Sequence, residues 1–263
     1  GKEWPTFTVG YGHTFRDDEL EDAAETARLF GARHTAVRID QQTFESALPR
    51  IVEVLEEPVA SSSIVPMYFV SERARLDVKV ALVGQGPDEV FGGYTRHLGV
   101  RYGAAWRSVP GIVRGPLMAL VRALPRNEAL KRGVGSLAVE QRLRRYAEVF
   151  SLAPGGLADS LFREGVLTED PEEAVLDCWS DLTDQMADLD ELGGFQLLEV
   201  RSSLPDELLM YVDKMSMAHS LEIRVPYLDR EVVEYSQQLD SRFKIRRGKG
   251  KWLHRRVCRQ FLP

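Results

Sequence analysis

Apolar and polar residues alternate along Thr6-Phe7-Thr8-Val9-Gly10, the period of a β-strand. Asp17 and Asp18 are placed to cap a helix whose apolar side carries Leu20, Ala23, Ala27 and Phe30. Gly31 fits the left-handed residue that ends such a helix. His34 to Ile39 reads as a second strand, and residues 43–56 as an amphipathic helix with Phe44, Leu48, Ile51, Val52 and Leu55. Ser62 or Ser63 caps a further helix running to about Leu76. Val78 to Val83 is nearly all apolar, which predicts a strand buried on both faces. Strand–helix–strand alternation predicts an α/β fold: a parallel sheet flanked by helices, with right-handed crossovers.

The pattern then changes. Residues 101–135 mix arginine, proline and glycine and read as an irregular connection. Helical periodicity returns at 138–150, 171–186, 189–202, 205–220, 229–239 and 249–260. The sheet portion is therefore expected at 1–100 and a mainly helical portion at 101–263, both within one domain. No internal repeat is evident.

Composition narrows the function classes. Hydrophobic residues at 44% and charged ones at 28% suit a globular protein. A net charge of −6 argues against a nucleic-acid partner, whose domains tend to be basic. No apolar run reaches the roughly 18 residues of a membrane span. Cys178 and Cys258 stand far apart, giving neither a disulfide framework nor a zinc site, which fits a cytoplasmic chain. The five histidines are scattered without metal-ligand spacing. No nucleophile elbow or Walker loop is present. The chain opens on Gly1-Lys2-Glu3 rather than methionine, which reads as an excised segment.

Two segments carry candidate chemistry. In the first, Val80-Ala81-Leu82-Val83 runs into Gly84-Gln85-Gly86-Pro87-Asp88-Glu89 and then Val90-Phe91-Gly92-Gly93-Tyr94. Ligands of open α/β sheets sit beyond the carboxyl ends of strands, and glycines there admit close approach to the backbone. Pro87 suits the first helical position, which puts Asp88 and Glu89 in the first turn. Carboxylates there suit a phosphate whose charge is carried through Mg²⁺. The plainer reading is that they complement the helix dipole. The string is not the dinucleotide fingerprint.

In the second, residues 204–229 read LPDELLMYVDKMSMAHSLEIRVPYLD. Leu208, Leu209, Val212, Met215 and His219 share one side of a helix, with Met210 and Met217 on the other, so the helix is expected to be buried. Lys214 on it needs an anion, because burying an unpaired ammonium is costly. A phosphate is one partner; a carboxylate, or a stem that snorkels to solvent, is the plainer one. His219 reads as a core histidine rather than a base. Asp229 reads as an N-cap and Arg224 as an ion-pair partner.

Together, GQGPDEVFGGY and VDKMSMAHSLEIRVPYLD resemble the glutamine-hydrolysing asparagine synthetases. Lys249-Gly250-Lys251-Trp252-Leu253 is similar to that family's KxKxLLR segment, and Thr6–Gly10 to its adenine-contacting strand. The resemblance covers almost the whole chain. It implies an ATP-pyrophosphatase-type synthetase domain, with ATP and Mg²⁺ as cofactors. Aspartate would be activated as β-aspartyl-AMP and amidated by ammonia from a glutaminase domain of the parent. It places Val9 beside adenine, Val83 and Gly84 at the nucleotide, Asp88 at Mg²⁺, and Lys214 near the phosphates. A homodimer also accords with the family.

Three departures qualify this. The SGGxDS pyrophosphate loop and the glutaminase domain are expected upstream of Thr6, so the chain alone is expected to lack synthetase activity and to bind ATP weakly. Gln85 stands where the family has Glu or Asp, and a neutral amide cannot take a proton from attacking ammonia. Val83 replaces a serine. Two alternatives therefore stay open: a paralogous amide ligase acting on another carboxylate, such as a natural product, cell-surface sugar or β-lactam precursor, or a degenerate, non-catalytic nucleotide-binding module.

Overall fold

The computed structural model describes residues 3–11, 19–59, 61–123, 135–151, 161–163, 166 and 170–262. The chain divides into two compact units, Gly1–Gln85 with Ser202–Pro226, and Gly86–Arg201 with Tyr227–Pro263.

In the first unit, strand β1 (Pro5–Gly10) pairs in parallel with β2 (Arg33–Arg38), from Pro5 opposite Arg33 to Gly10 opposite Arg38. Helix α1 (Leu20–Leu29) links them and buries Leu20 and Ala27. Asp17 and Asp18 lie outside the described residues, and Glu19 stands at the N-cap. Gly31 has φ +63°, the left-handed turn its position calls for. Phe30, expected on the apolar side, is 60% exposed, because it sits at the C-cap beyond the last buried turn. The Asp40 carboxylate caps α2 (Gln41–Leu55) by accepting from the Thr43 N–H at 2.7 Å. Ile51 and Leu55 are buried, but Leu48 and Val52 are exposed, so the buried stripe is narrower than the periodicity suggests. Ser63 is the N-cap of α3 (Ile64–Arg75), without a side-chain bond.

Strand β3 (Val80–Leu82) does not meet the expectation of burial on both faces. Val80 is 42% and Leu82 71% exposed. The reason is topological. Among the described residues the expected single sheet is two parallel two-stranded sheets, and the only strand beside β3 is β4 (Glu222–Arg224). A strand with one neighbour lacks the flanking strands that bury a central one.

The return segment supplies the core. Leu204–Leu209 winds as a π-helix, wider than an α-helix, and continues into α11 (Met210–Met217). Tyr211, Val212 and Met215 pack against Ile39, Ile51, Leu55, Ile64 and Val65. Each such buried side chain contributes about 1.5–3 kcal/mol before entropy is counted. Met217, on the opposite side of the helix, is 54% exposed, so α11 is buried along one face and not all round.

The second unit is helical. It comprises α4 (Pro87–Phe91), α5 (Thr95–Arg107), α6 (Gly111–Ala123), α7 (Arg142–Phe150), α8 (Pro171–Cys178), α9 (Thr183–Met186), α10 (Glu191–Arg201), α12 (Arg230–Gln238), α13 (Ser241–Lys244) and α14 (Trp252–Cys258). Residues 101–123 were expected to be irregular and are helices instead, broken at 108–110. Pro116 lies inside α6; losing one backbone donor there did not stop the helix. The expected helix 171–186 is broken at Trp179 and continues as a 3-10 turn, Ser180–Leu182, before α9. The core gathers Val100, Tyr146, Leu182, Met186, Phe195 and Leu198, with Phe150 stacked on Phe195 at 4.9 Å. No described helix is long and apolar enough to cross a membrane.

Candidate functional site

In the second unit the glycine-rich motif becomes a short, tightly held helix. Gly86 has φ +106°, and a Cβ there would overlap the Leu228 side chain. Pro87 opens α4 at its first position, and Gly92, at φ +73°, closes it. Asp88 and Glu89 thus share the first turn, yet their environments diverge.

Both oxygens of Asp88 face the Lys251 ammonium, at 2.9 and 3.0 Å. The same carboxylate lies over Gly93, where any Cβ would overlap it. Lys251 is held from behind. Its φ of 51° is left-handed, unusual for a non-glycine residue. Its N–H donates to the Gly92 carbonyl at 3.3 Å. A Cβ on Gly250 would overlap that same carbonyl oxygen. The turn entering α14 is therefore docked on the turn leaving α4.

Glu89, in contrast, is only 3% exposed. Burial pushes its carboxyl above the ordinary range, opposed by the bond it accepts from the Tyr94 hydroxyl at 2.5 Å. Burial, and then Glu89 itself, pushes the Tyr94 phenol up in turn. The Glu89 backbone carbonyl accepts from the Gln196 amide.

In the first unit, Val9 is partly buried against the core. The Val83 N–H donates to the Arg224 carbonyl at 3.0 Å and so extends the sheet ladder. Gly84 is exposed, with nothing within 4 Å of a Cβ there. Gln85 is half-buried. Lys214 is one-quarter exposed, and its Nζ lies 2.8 Å from Glu56 Oε2. Its partner is thus a carboxylate on the exposed C-cap of α2, not the adjacent Asp213. The Lys214 ammonium holds the Glu56 carboxyl below its usual range. His219 packs edge-on against Tyr68 at 4.4 Å, and burial lowers its pKa, as a core histidine's would be. Its Nε2 is buried without a hydrogen-bond partner. Arg224 pairs with Glu222 at 2.8 Å. In the second unit the Asp229 carboxylate caps α12, accepting from the Glu231 N–H at 2.9 Å.

Val9, Val83, Gly84, Gln85 and Lys214 belong to the first unit and Asp88 to the second. Among the described residues no cluster of three His, Cys, Asp or Glu side chains could hold a metal. Asp88 offers one carboxylate. Mg²⁺ takes one or two carboxylates and completes its shell with water and substrate phosphates, so at Asp88 it would share the carboxylate with the Lys251 ammonium that already faces both oxygens. Two ion-pair contacts of the candidate residues escaped the sequence reading. Lys251 was visible only as part of a lysine-glycine run, and Glu56 carried no signal at all.

The sequence profile of the family described as asparagine synthase matches residues 2–263. The chain belongs to the asparagine synthase family. A putative glutamine-hydrolyzing asparagine synthetase of Mycobacterium bovis is 34% identical over 261 residues, covering 98% of this chain and 39% of the relative. Glutamine-hydrolyzing asparagine synthetase 1 of Bacillus subtilis is 26% identical over 262 residues, with coverage of 98% and 40%. The amidase chry2 of Gibberella zeae is 22% identical over 270 residues, with coverage of 97% and 40%. The chain thus spans about 40% of the length of the curated relatives it matches.

Proposed function

We propose that this chain is the carboxylate-activating portion of an ATP-dependent amide ligase, of ATP-pyrophosphatase type, whose acceptor is the side chain of aspartate. The observation that carries this reading is the family match over nearly the whole chain. In the reaction an oxygen of the substrate carboxylate attacks the α-phosphorus of ATP and pyrophosphate leaves. The nitrogen of ammonia, supplied by glutamine hydrolysis elsewhere in the parent, then attacks the acyl carbon. AMP departs, a proton is lost from nitrogen, and asparagine remains.

In this reading Val9 packs against adenine. The backbone at Val83 and Gly84 holds the nucleotide; because the Val83 N–H is already used in the ladder, its carbonyl and the open backbone of Gly84 are the groups to present. Asp88 is the carboxylate that would hold Mg²⁺, which would supply charge neutralisation on the departing pyrophosphate. Lys214 exchanges its exposed partner Glu56 for phosphate oxygens. That exchange costs little, because an exposed ion pair is worth about 0–1 kcal/mol. Gln85 orients the intermediate through its amide and moves no proton.

A second reading is favoured by Gln85 itself: a paralogous ligase that amidates another carboxylate. It is in keeping with this reading that one relative, at 22% identity, is named an amidase.

The deciding experiment is carboxylate-dependent ATP–pyrophosphate exchange by the full-length parent with Mg²⁺. Exchange with aspartate supports the first reading. Exchange with other carboxylic acids but not aspartate supports the second. Silence with every acid sinks both.

A further inference from the structure

Beside α4, which contributes Val90 to its wall, the second unit contains a cavity of about 210 Å³. Its walls are Val90, Leu189, Leu197, Val200 and Val233, and one charged group, Lys244, reaches it. Val90, Gln196 and Lys244 are buried, whereas Gln185 and Gln237 are exposed, so the cavity has a closed floor and an open mouth.

The floor is unusual in its charge. Lys244 is 4% exposed, and its ammonium donates to the Gln196 side-chain oxygen at 2.7 Å. Gln196 passes the connection on through its NH₂ to the Glu89 carbonyl. A neutral amide oxygen is a poor match for a buried cation, which is normally met by an anion. Asp190 acts on Lys244 only through its field, and burial pulls the lysine down to about 8. At neutral pH the site therefore still presents a positive charge in an apolar cup.

We propose that this cavity binds a small carboxylic acid with an apolar body, its carboxylate on Lys244 and its hydrocarbon against Leu197, Val200 and Val233. The size agrees. An apolar cavity of about 150 Å³ accommodates benzene, so this one takes a ring or short chain together with a carboxylate. A carboxylate arriving at Lys244 would compete with Gln196 for the ammonium. Binding is thereby tied to the hydrogen bond that anchors α4, the helix bearing Asp88. The site does not depend on the ligase reading and uses none of its residues.

The test is titration of the full-length parent with benzoate and with benzamide, its neutral counterpart, by calorimetry and ligand-observed NMR at pH 7. Benzoate should bind with a Kd of about 1 mM or tighter, and benzamide at least about tenfold more weakly. Lys244→Met should abolish the preference for the acid. Val233→Phe, which fills the cavity and leaves the Lys244–Gln196 bond intact, should abolish binding of both. It keeps the test decisive if Lys244→Met fails to fold, as judged by circular dichroism. Equal binding of acid and amide would overturn the proposal. So would benzoate affinity unchanged in the Val233→Phe variant, or no benzoate binding at about 10 mM.

Discussion

Two lysine–carboxylate pairs of nearly equal length behave as opposites. Lys214–Glu56, in the first unit, closes over 2.8 Å, but the Glu56 side chain, on a left-handed C-cap at φ 58°, is 73% exposed. Lys251–Asp88, in the second, closes over 2.9 Å on a left-handed lysine, with both flanking glycine turns in backbone contact. The first pair is a resting place for a lysine that can leave. The second is built into the backbone. Distance alone does not separate them; the support behind each side chain does.

The largest expected effect tests the mobile lysine. Lys214→Ala in the full-length parent should lower pyrophosphate exchange by about 10²–10³-fold, the scale of losing one preorganised charge-stabilising group. Glu56→Ala should leave exchange within about twofold and urea stability within about 0.5 kcal/mol, as for exposed pairs. Equal losses in the two variants would mean that the pair is structural, and the contrast would collapse.

The braced pair is tested through its backbone. Gly250→Ala must push against the Gly92 carbonyl, which cannot rotate away, so urea unfolding should show a loss of about 2–3 kcal/mol. Gly84→Ala, with open space at its Cβ, should cost less than about 0.5 kcal/mol.

Next in size is Tyr94→Phe. It leaves the buried Glu89 carboxyl without its hydroxyl donor and should cost about 1–3 kcal/mol by thermal or urea unfolding. Glu89→Gln keeps an oxygen for Tyr94 and removes the buried charge, so its cost should be smaller, and it should shrink further as pH rises. The sign follows from the raised Glu89 pKa: the folded state holds that proton more tightly, so its contribution falls as pH climbs through and above the carboxylate range.

How much of this was legible follows one line. Pro87, Gly31, Asp229 and the β1–β2 strands were readable because their causes are local: a fixed φ, a missing Cβ, a side chain reaching two residues along. The partners of Lys214 and Asp88 were not, because Glu56 lies 158 residues from one and Lys251 lies 163 from the other. The exposure of β3 was illegible for the same reason, since burial is decided by neighbouring strands and not by the apolar run itself. Residues 101–123 were misread because proline and glycine were taken as breaks, whereas Gly103, Gly111, Gly115 and Pro116 all lie within the helical spans of α5 and α6.

The last prediction is a pH dependence and concerns Lys244. Its folded pKa of about 8 lies below the ordinary 10.5. Between those values the unfolded chain binds more protons, so stability rises with pH across that window and loses this increment below it. Lys244→Met should flatten that rise in unfolding measurements between about pH 8 and 10.5. An unchanged slope would show that the lysine is solvated.

The pairing of β3 with β4 has a consequence for synthesis on the ribosome. Leu82 meets Arg224, which emerges about 140 residues later. At roughly 5–20 residues per second, that partner arrives about seven to thirty seconds after the strand leaves the tunnel. Throughout that interval Val80-Ala81-Leu82 lacks the one neighbouring strand it has among the described residues, and an unpaired apolar edge is the kind of segment that pairs with whatever strand it meets. The second unit's residues 86–201 are made in the meantime, so they can begin to fold before the first unit is able to finish. Slowing translation after residue 224 would not help; slowing it before would prolong the exposure.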